Sequence, residues 1–186
     1  MQVRFSHELD VIAGYARDEA MRTGWYGIGG DHLFLGILRH AANDVCCLLR
    51  GLEISLQEFK DYIDSFLMCR RPVPYNAMEE VRLTRGSQNA MNLAVYEALK
   101  YGSPEVLASH LFLALLRDGA SRAGAYLADF GYDYASIGAM MAQQDMLGAP
   151  SEASAKPKTP VKAIDLTGAL SEQLGKLFGG GGSAPS

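Results

Sequence analysis

Cysteines and basic residues are scarce in this chain, and both shortages exclude a class of function. Three of the 186 residues are cysteines, and an odd number in a chain without an export signal favours reduced thiols over a disulfide framework. Cys46 and Cys47 are adjacent, and no second pair stands at the spacing of a zinc site. Acidic residues outnumber lysines and arginines by 21 to 17, so the chain lacks the basic excess of a protein that binds nucleic-acid phosphates.

Long apolar runs and phosphate-binding motifs are missing as well. No run approaches the roughly 20 apolar residues that cross a bilayer, and no apolar stretch follows the N-terminus as it does in a signal peptide. The motif G-x-x-x-x-G-K-[ST] is absent, and the glycines at 179–182 precede Ser183 instead of a lysine. These absences predict a soluble, cytoplasmic protein with no catalytic residues, metal ion or cofactor, and with neither nucleic acid nor membrane as its partner.

An internal repeat is the most specific feature that the sequence does contain. A shift of 78 residues aligns HLFL at 32–35 with HLFL at 110–113, without a gap. Because self-similarity at a fixed period marks a duplicated structural unit, we define a first repeat over about 4–68 and a second repeat over about 82–145.

Each repeat has the pattern of four helices. Apolar residues of the first helix recur every three or four positions, on one helical face: Leu9, Ile12, Ala13, Ala16 and Ala20. Ser6 is expected to cap this helix and Gly24 to end it, as Thr84 and Gly102 do in the second repeat. The next helix is apolar almost all round, which predicts that it is buried within the bundle. The inner face of the fourth helix is predicted to consist of Leu56, Phe59, Ile63 and Phe66.

The limits of the folded domain follow from changes in composition. A connector with two prolines joins the repeats, and the apolar pattern ends near position 147, so one domain is predicted over 1–147. Residues 148–186 are expected to form a flexible tail, because they begin with a polar, proline-bearing stretch. Leucines spaced along 164–178 predict a short amphipathic helix within that tail.

The helical pattern carries a family resemblance. In both repeats a helix with Glu-Ala near its end leads to a glycine and then to a His-Leu-Phe-Leu helix that ends in Leu-Arg. This pattern resembles the Clp N-terminal repeat domain of ClpC- and ClpA-type unfoldases, over residues 4–145. The resemblance implies an all-α fold in which two tandem four-helix repeats form a pseudo-twofold bundle of eight helices.

The resemblance also implies a role. In the family, this domain is non-catalytic, binds adaptor proteins and unfolded or tagged protein substrates, and passes them to the Clp unfoldase ring. The nucleotide-binding modules of such unfoldases have no counterpart in these 186 residues, so the chain is expected to be either a stand-alone domain or a piece of a larger subunit. Two alternatives stay open: a regulator that competes for Clp adaptors, and a helical enzyme with an unrecognised site.

Asp31 is the first candidate binding residue. In the ClpC branch, the acidic residue before the histidine helps to hold a phosphorylated arginine, since a carboxylate pairs with a guanidinium. The alternative for Asp31 is an acid that stabilises the start of a helix. The second repeat has Ser109 at this position, so at most one such pocket is expected, and Ser109→Asp is expected to restore the other.

The remaining candidates lie close to the first helix. Trp25 and Tyr26 follow it in a loop, where aromatic side chains either anchor a partner or fold back onto the bundle. Arg4 and Phe5 precede the same helix and complete the predicted set of substrate- and adaptor-binding residues. The two histidines of the repeated motif are expected to be structural and to hold the helix start or the loop by hydrogen bonds.

Overall fold

Eight α-helices in two sets of four form the described part of the chain. The computed structural model describes residues 3–68, 71–119 and 121–148, together with Gly175. The first repeat contains α1 (His7–Thr23), α2 (Gly30–Arg39), α3 (Asp44–Gly51) and α4 (Leu56–Leu67). The second repeat contains α5 (Arg85–Lys100), α6 (Ala108–Asp118), α7 (Ala123–Asp129) and α8 (Tyr134–Gln143). The predicted all-α fold of two four-helix repeats is confirmed, whereas the predicted tail helix lies outside the described residues except for Gly175.

The ends of the first helix in each repeat lie where the sequence predicts. The Ser6 hydroxyl accepts a hydrogen bond from the backbone N–H of Leu9 at 3.2 Å, and that of Thr84 accepts one from Ser87 at the same distance. Gly24 ends α1 with a φ of 84°, and Gly102 follows α5 with a φ of 70°. The left-handed backbone conformation at this position is strained for a residue that carries a Cβ. Glycine has none, so it ends both helices most readily.

Four two-residue strands, which the sequence analysis did not predict, join the repeats. They are β1 (Arg4–Phe5), β2 (Gly27–Ile28), β3 (Arg82–Leu83) and β4 (Glu105–Val106), and a short 3-10 helix (Tyr75–Glu80) precedes β3. β1 pairs in parallel with β4, and β2 pairs in parallel with β3. Each ribbon therefore links the segment before the first helix of one repeat to the loop after the first helix of the other.

The helices α2 and α6 lie at the centre of the core. Phe34 and Phe112 are fully buried, and their rings stack with centroids 5.8 Å apart, so the two repeats meet through equivalent side chains. The helix α2 also approaches α1 closely, because a Cβ at Gly36 would lie 2.6 Å from the carbonyl oxygen of Ile12. Glycine at this position therefore sets the distance between the two helices.

One predicted core residue is exposed. The buried face of α4 consists of Phe59, Ile63 and Leu67, whereas Phe66 is 42% exposed. Because the buried face centres on Ile63, the side chain of Phe66 lies at its margin. The prediction that Phe66 belongs to the inner face was therefore wrong, and its exposed ring becomes part of the surface described next.

Candidate functional site

Asp31 reaches from the first repeat to the second. It lies in the first turn of α2, and its Oδ1 accepts hydrogen bonds from the Ser121 hydroxyl at 2.8 Å and from the backbone N–H of Arg122 at 2.7 Å. Its Oδ2 lies 3.7 Å from Nε of Arg122, and the side chain is 15% exposed. A negative charge here stabilises the start of α2 and the start of α7 together, because both helix ends present free N–H groups.

A guanidinium already occupies the neighbourhood of Asp31. The guanidinium carbon of Arg122 lies 4.0 Å from the ring centroid of Phe66. Arg122 is thus held between a carboxylate and an exposed aromatic ring, by ion pairing on one side and a cation–π contact on the other. The surface formed by Asp31, Arg122, Phe66 and Phe130 is called the Asp31 face below; its chemistry suits a guanidinium, and an incoming one would share or replace the contacts of Arg122.

Aromatic rings connect this face to the core. Tyr126 stacks on Phe59 at a centroid distance of 4.1 Å, and it contacts Tyr62 at 4.9 Å and Phe130 at 5.2 Å. Phe130 ends this series with 48% of its surface exposed. The sequence analysis did not predict these residues. The 78-residue shift could have indicated them, because Tyr126, Phe130 and Tyr62 correspond to the non-aromatic residues Leu48, Leu52 and Met140.

The second repeat covers the position that corresponds to Asp31. Ser109 is buried, and its hydroxyl donates to the carbonyl oxygen of Met146 at 2.7 Å. The segment after α8 therefore lies directly over the start of α6. A carboxylate at position 109 would face a carbonyl oxygen instead of a donor, so the second pocket expected from Ser109→Asp is not supported.

Both histidines of the repeated motif hold the loop before their helix. His32 accepts the backbone N–H of Gly29 through Nδ1 at 3.0 Å, and His110 accepts that of Leu107 at 2.9 Å. The other nitrogen of His32 lies 3.1 Å from the Thr23 hydroxyl. The predicted structural role is confirmed. Burial lowers the pKa of His32 to about 4 and also lowers the pKa of His110, so both rings are neutral near pH 7.

The two loop aromatics differ in exposure. The Trp25 indole N–H donates to the carbonyl oxygen of Leu67 at 3.0 Å, and its ring lies 6.2 Å from that of His32. Trp25 thus folds back onto the bundle, whereas Tyr26 is 49% exposed. Since Asp31 adjoins His32 in the chain, the structure brings Trp25 and Asp31 to the same end of α2.

Arg4 and Phe5 lie on a different ribbon. Both belong to β1, which pairs with β4 of the second repeat. The Arg4 guanidinium forms an exposed ion pair with Glu105 at 3.0 Å, and Phe5 is half-buried against the core. Trp25 and Tyr26 precede β2, which pairs with β3. The predicted binding residues therefore fall into two groups on two ribbons, not into one cluster.

A groove of about 390 Å³ opens on the first repeat, at the other end of α2. Its lining includes the buried carboxylate of Glu19, which pairs with Arg22 at 2.7 Å through Nε. Among the described residues, no group of three potential metal ligands occurs. Nor does any helix in the described ranges have the length and apolar character needed to span a membrane.

Comparison with known proteins identifies relatives in one family. The model of the Clp repeat (R) N-terminal domain matches residues 4–130. A ClpA homolog of Porphyra purpurea, named as the ATP-binding subunit of an ATP-dependent Clp protease, is 24% identical over 91% of this chain and 20% of its own length. The Bacillus subtilis negative regulator of genetic competence ClpC/MecB is 24% identical over 69% of the chain and 15% of its own length.

A third relative and a solved structure agree with this match. The chloroplastic chaperone protein ClpC1 of Arabidopsis thaliana is 25% identical over 72% of this chain and 14% of its length. The chain thus spans about a fifth or less of the curated relatives it matches. A solved structure from preliminary structural investigations of a malarial protein secretion system has a TM-score of 0.65 and 19% identity, and it covers 76% of this chain and 94% of its own; this likeness concerns the fold alone.

Proposed function

The chain belongs to the Clp repeat (R) N-terminal domain family, and from that premise we propose that it is a non-catalytic module that recognises adaptor proteins and unfolded or tagged substrates for a Clp-type unfoldase. The relatives it matches are named as chaperones and as ATP-binding subunits of an ATP-dependent protease. This chain matches a segment of 14–20% of the length of these relatives. Its partner would be a polypeptide that is delivered to the ATP-driven ring.

The observation that carries this proposal is the chemistry of the Asp31 face. A carboxylate, a guanidinium and two exposed aromatic rings lie together where the two repeats meet. Exposed aromatic rings next to a charged pair are typical of surfaces that bind protein segments. The exposed ring of Tyr26 extends the same proposal to the loop after α1, and Arg4 with Phe5 on β1 would serve as a second contact region.

A tagged substrate is the more specific form of the proposal. A phosphorylated arginine presents a guanidinium, which would approach Oδ2 of Asp31, the oxygen that lies 3.7 Å from Nε of Arg122. Since Ser109 is buried, one site per chain is expected. Titration of free phosphoarginine, followed by amide chemical shifts, should saturate with a stoichiometry of one in the wild type and show no shifts in Asp31→Asn. A stoichiometry of two would contradict this form of the proposal.

Binding of a permanently unfolded protein tests the general proposal. Reduced, carboxymethylated α-lactalbumin with a fluorescent label should bind the chain saturably in the absence of nucleotide, as measured by fluorescence anisotropy. Asp31→Asn should weaken this binding about tenfold, because the amide keeps the shape but loses the charge. Asp118→Asn, which changes an exposed acid at the end of α6, is the matched control and should bind like the wild type.

Two results would contradict the proposal. One is the absence of saturable binding by a wild-type chain whose circular dichroism shows folded helices. The other is turnover of ATP by the purified chain, because the sequence lacks the loop and the lysine that hold nucleotide phosphates.

A further inference from the structure

The groove on the first repeat has a counterpart on the second repeat that is filled. The 78-residue shift keeps four of its eight lining residues: the carboxylate, the arginine and two leucines of the apolar floor. It replaces Ala41, Gln57 and Lys60 with the smaller residues Gly119, Ala135 and Gly138, and it replaces one leucine with a tyrosine. The pairs are Glu19 and Glu97, Leu35 and Leu113, Leu38 and Leu116, Arg39 and Arg117, and Leu56 and Tyr134. At the last pair leucine is replaced by tyrosine, so the ring of Tyr134 has no equivalent in the first repeat.

Tyr134 makes two polar contacts in the second repeat. Its hydroxyl donates to Oε1 of Glu97 at 2.6 Å, and the guanidinium of Arg117 lies 5.9 Å from its ring centroid. Arg117 also approaches the same oxygen of Glu97 at 3.4 Å. The carboxylate is fully buried, so the phenol supplies the short hydrogen bond that a buried charge requires.

The first repeat presents the same groups, with Leu56 at the position of Tyr134. The side chain of Glu19 is buried, its Oε2 pairs with Arg22 at 2.7 Å, and its Oε1 has a long contact of 3.5 Å with Arg39. Arg39 is held over the ring of Tyr15 at 4.7 Å, which keeps its guanidinium at the rim. The space that Tyr134 fills in the second repeat corresponds to the open groove of about 390 Å³ in the first.

We propose that this groove binds the side chain of a tyrosine from a partner polypeptide, in the way that Tyr134 fills the equivalent site from within the chain. The phenol would donate to Oε1 of Glu19, and its ring would lie on Leu35 and Leu56 beside the guanidinium of Arg39. Phenylalanine would bind more weakly, because its ring has no hydroxyl to donate to Oε1. This inference rests on the proposed function in one respect, namely that the partner is a polypeptide. The groove shares no residue with the Asp31 face.

The test uses p-cresol, which has the side-chain chemistry of tyrosine, and toluene, which lacks the hydroxyl. Titration of the isotope-labelled chain with p-cresol should shift amides around Glu19, Leu38 and Leu56 saturably. Its dissociation constant should be about tenfold lower than that of toluene, the ratio expected for one hydrogen bond to a charged acceptor. Glu19→Gln should reduce this preference.

Three variants at the two equivalent positions test whether the shifts arise in this groove. Leu56→Tyr places the phenol inside the first groove and should remove the p-cresol shifts, whereas Leu56→Met, which keeps the size of the side chain, should retain them. Tyr134→Ala empties the second groove and should produce a second set of shifts around Glu97. The inference is overturned if wild-type p-cresol shifts do not appear near Glu19, or if Leu56→Tyr titrates like the wild type. A chain without this site that still binds unfolded α-lactalbumin through Asp31 would leave the proposed function intact.

Discussion

Asp31, in the first turn of α2, keeps 15% of its side chain exposed, whereas Ser109, its counterpart 78 residues later, is covered by the carbonyl of Met146. The groove beside Leu56 is open, whereas Tyr134 fills the equivalent groove of the second repeat. In both comparisons a group of the second repeat itself covers the position, whereas the equivalent position of the first repeat borders the Asp31 face or the open groove. The difference indicates that the two copies of the duplicated unit have diverged in what covers their equivalent positions.

The largest loss of stability should come from substitution of two equivalent leucines. Leu35→Ala and Leu113→Ala should each lower the free energy of unfolding by roughly 2–5 kcal/mol, because both side chains are buried. Leu113→Ala should cost more, since Leu35 borders the open groove and its loss can be relieved there. Urea unfolding followed by circular dichroism measures both values. Unfolding free energies within about 0.5 kcal/mol of the wild-type value for both variants would contradict the burial of these faces of α2 and α6.

A second pair tests the close approach of α1 and α2. Gly36→Ala should destabilise the chain by about 3 kcal/mol, because the new methyl group would meet backbone atoms of Ile12 and Ala16 that cannot rotate away. The equivalent residue of the second repeat is Ala114, which is buried and already carries a methyl group. Ala114→Gly should cost less, about 1–2 kcal/mol, through the lower helix propensity of glycine and the loss of one buried methyl group. Equal costs in thermal unfolding would contradict a tighter first repeat.

Acid should destabilise the fold through the buried histidines. The pKa of His32 is lowered by burial to about 4 from 6.5, so the unfolded chain takes up a proton at a higher pH than the folded chain. The stabilisation is therefore complete above pH 6.5 and is lost as the pH falls from 6.5 towards 4, with a decrease of about 2 kcal/mol by pH 5.

Substitution of each buried histidine in turn shows which repeat causes the pH dependence of the unfolding free energy. His32→Asn should flatten the pH dependence of the unfolding free energy more than His110→Asn, because the carbonyl of Leu147 opposes the lowering of the His110 pKa. His7→Asn changes an exposed histidine and serves as the control. A pH dependence that survives both buried substitutions would rule out these two rings as its source.

The smallest expected effect concerns the phenol of the second repeat. Tyr134→Phe should lower stability by about 1 kcal/mol, because Glu97 then loses its short hydrogen bond while remaining buried. Leu56→Phe in the first repeat removes no hydrogen bond and should change stability less. If chemical denaturation gives the opposite order, the hydroxyl of Tyr134 does not stabilise the second repeat.

Features set by local sequence were predictable, and features set by distant contacts were not. Ser6 and Thr84 cap their helices as expected, because the capping partner lies three residues away. The partner of Asp31 lies 90 residues away at Ser121, and no local pattern indicates it. The four short strands escaped prediction for the same reason, since two residues have no measurable periodicity and their pairing crosses the repeats.

The groove could have been predicted in part from the sequence. Continuing the 78-residue alignment to Leu56 and Tyr134 would have shown a leucine opposite a tyrosine. The sequence does not show that the tyrosine fills a groove, because this depends on its hydrogen bond to buried Glu97, 37 residues away in the chain. The predicted domain end near 147 and the tail over 148–186 stay predictions, because the structure describes only Gly148 and Gly175 of that segment.

The most direct test of the central claim, that the Asp31 face binds the partner polypeptide, is a map of amide chemical shifts. The isotope-labelled chain is titrated with reduced, carboxymethylated α-lactalbumin without nucleotide, in parallel with Asp31→Asn. Saturable shifts should cluster around Tyr26, Asp31 and Phe66 and should weaken in the variant. Shifts of equal size around Ser109 and His110, or binding that is unchanged by Asp31→Asn, would contradict the claim.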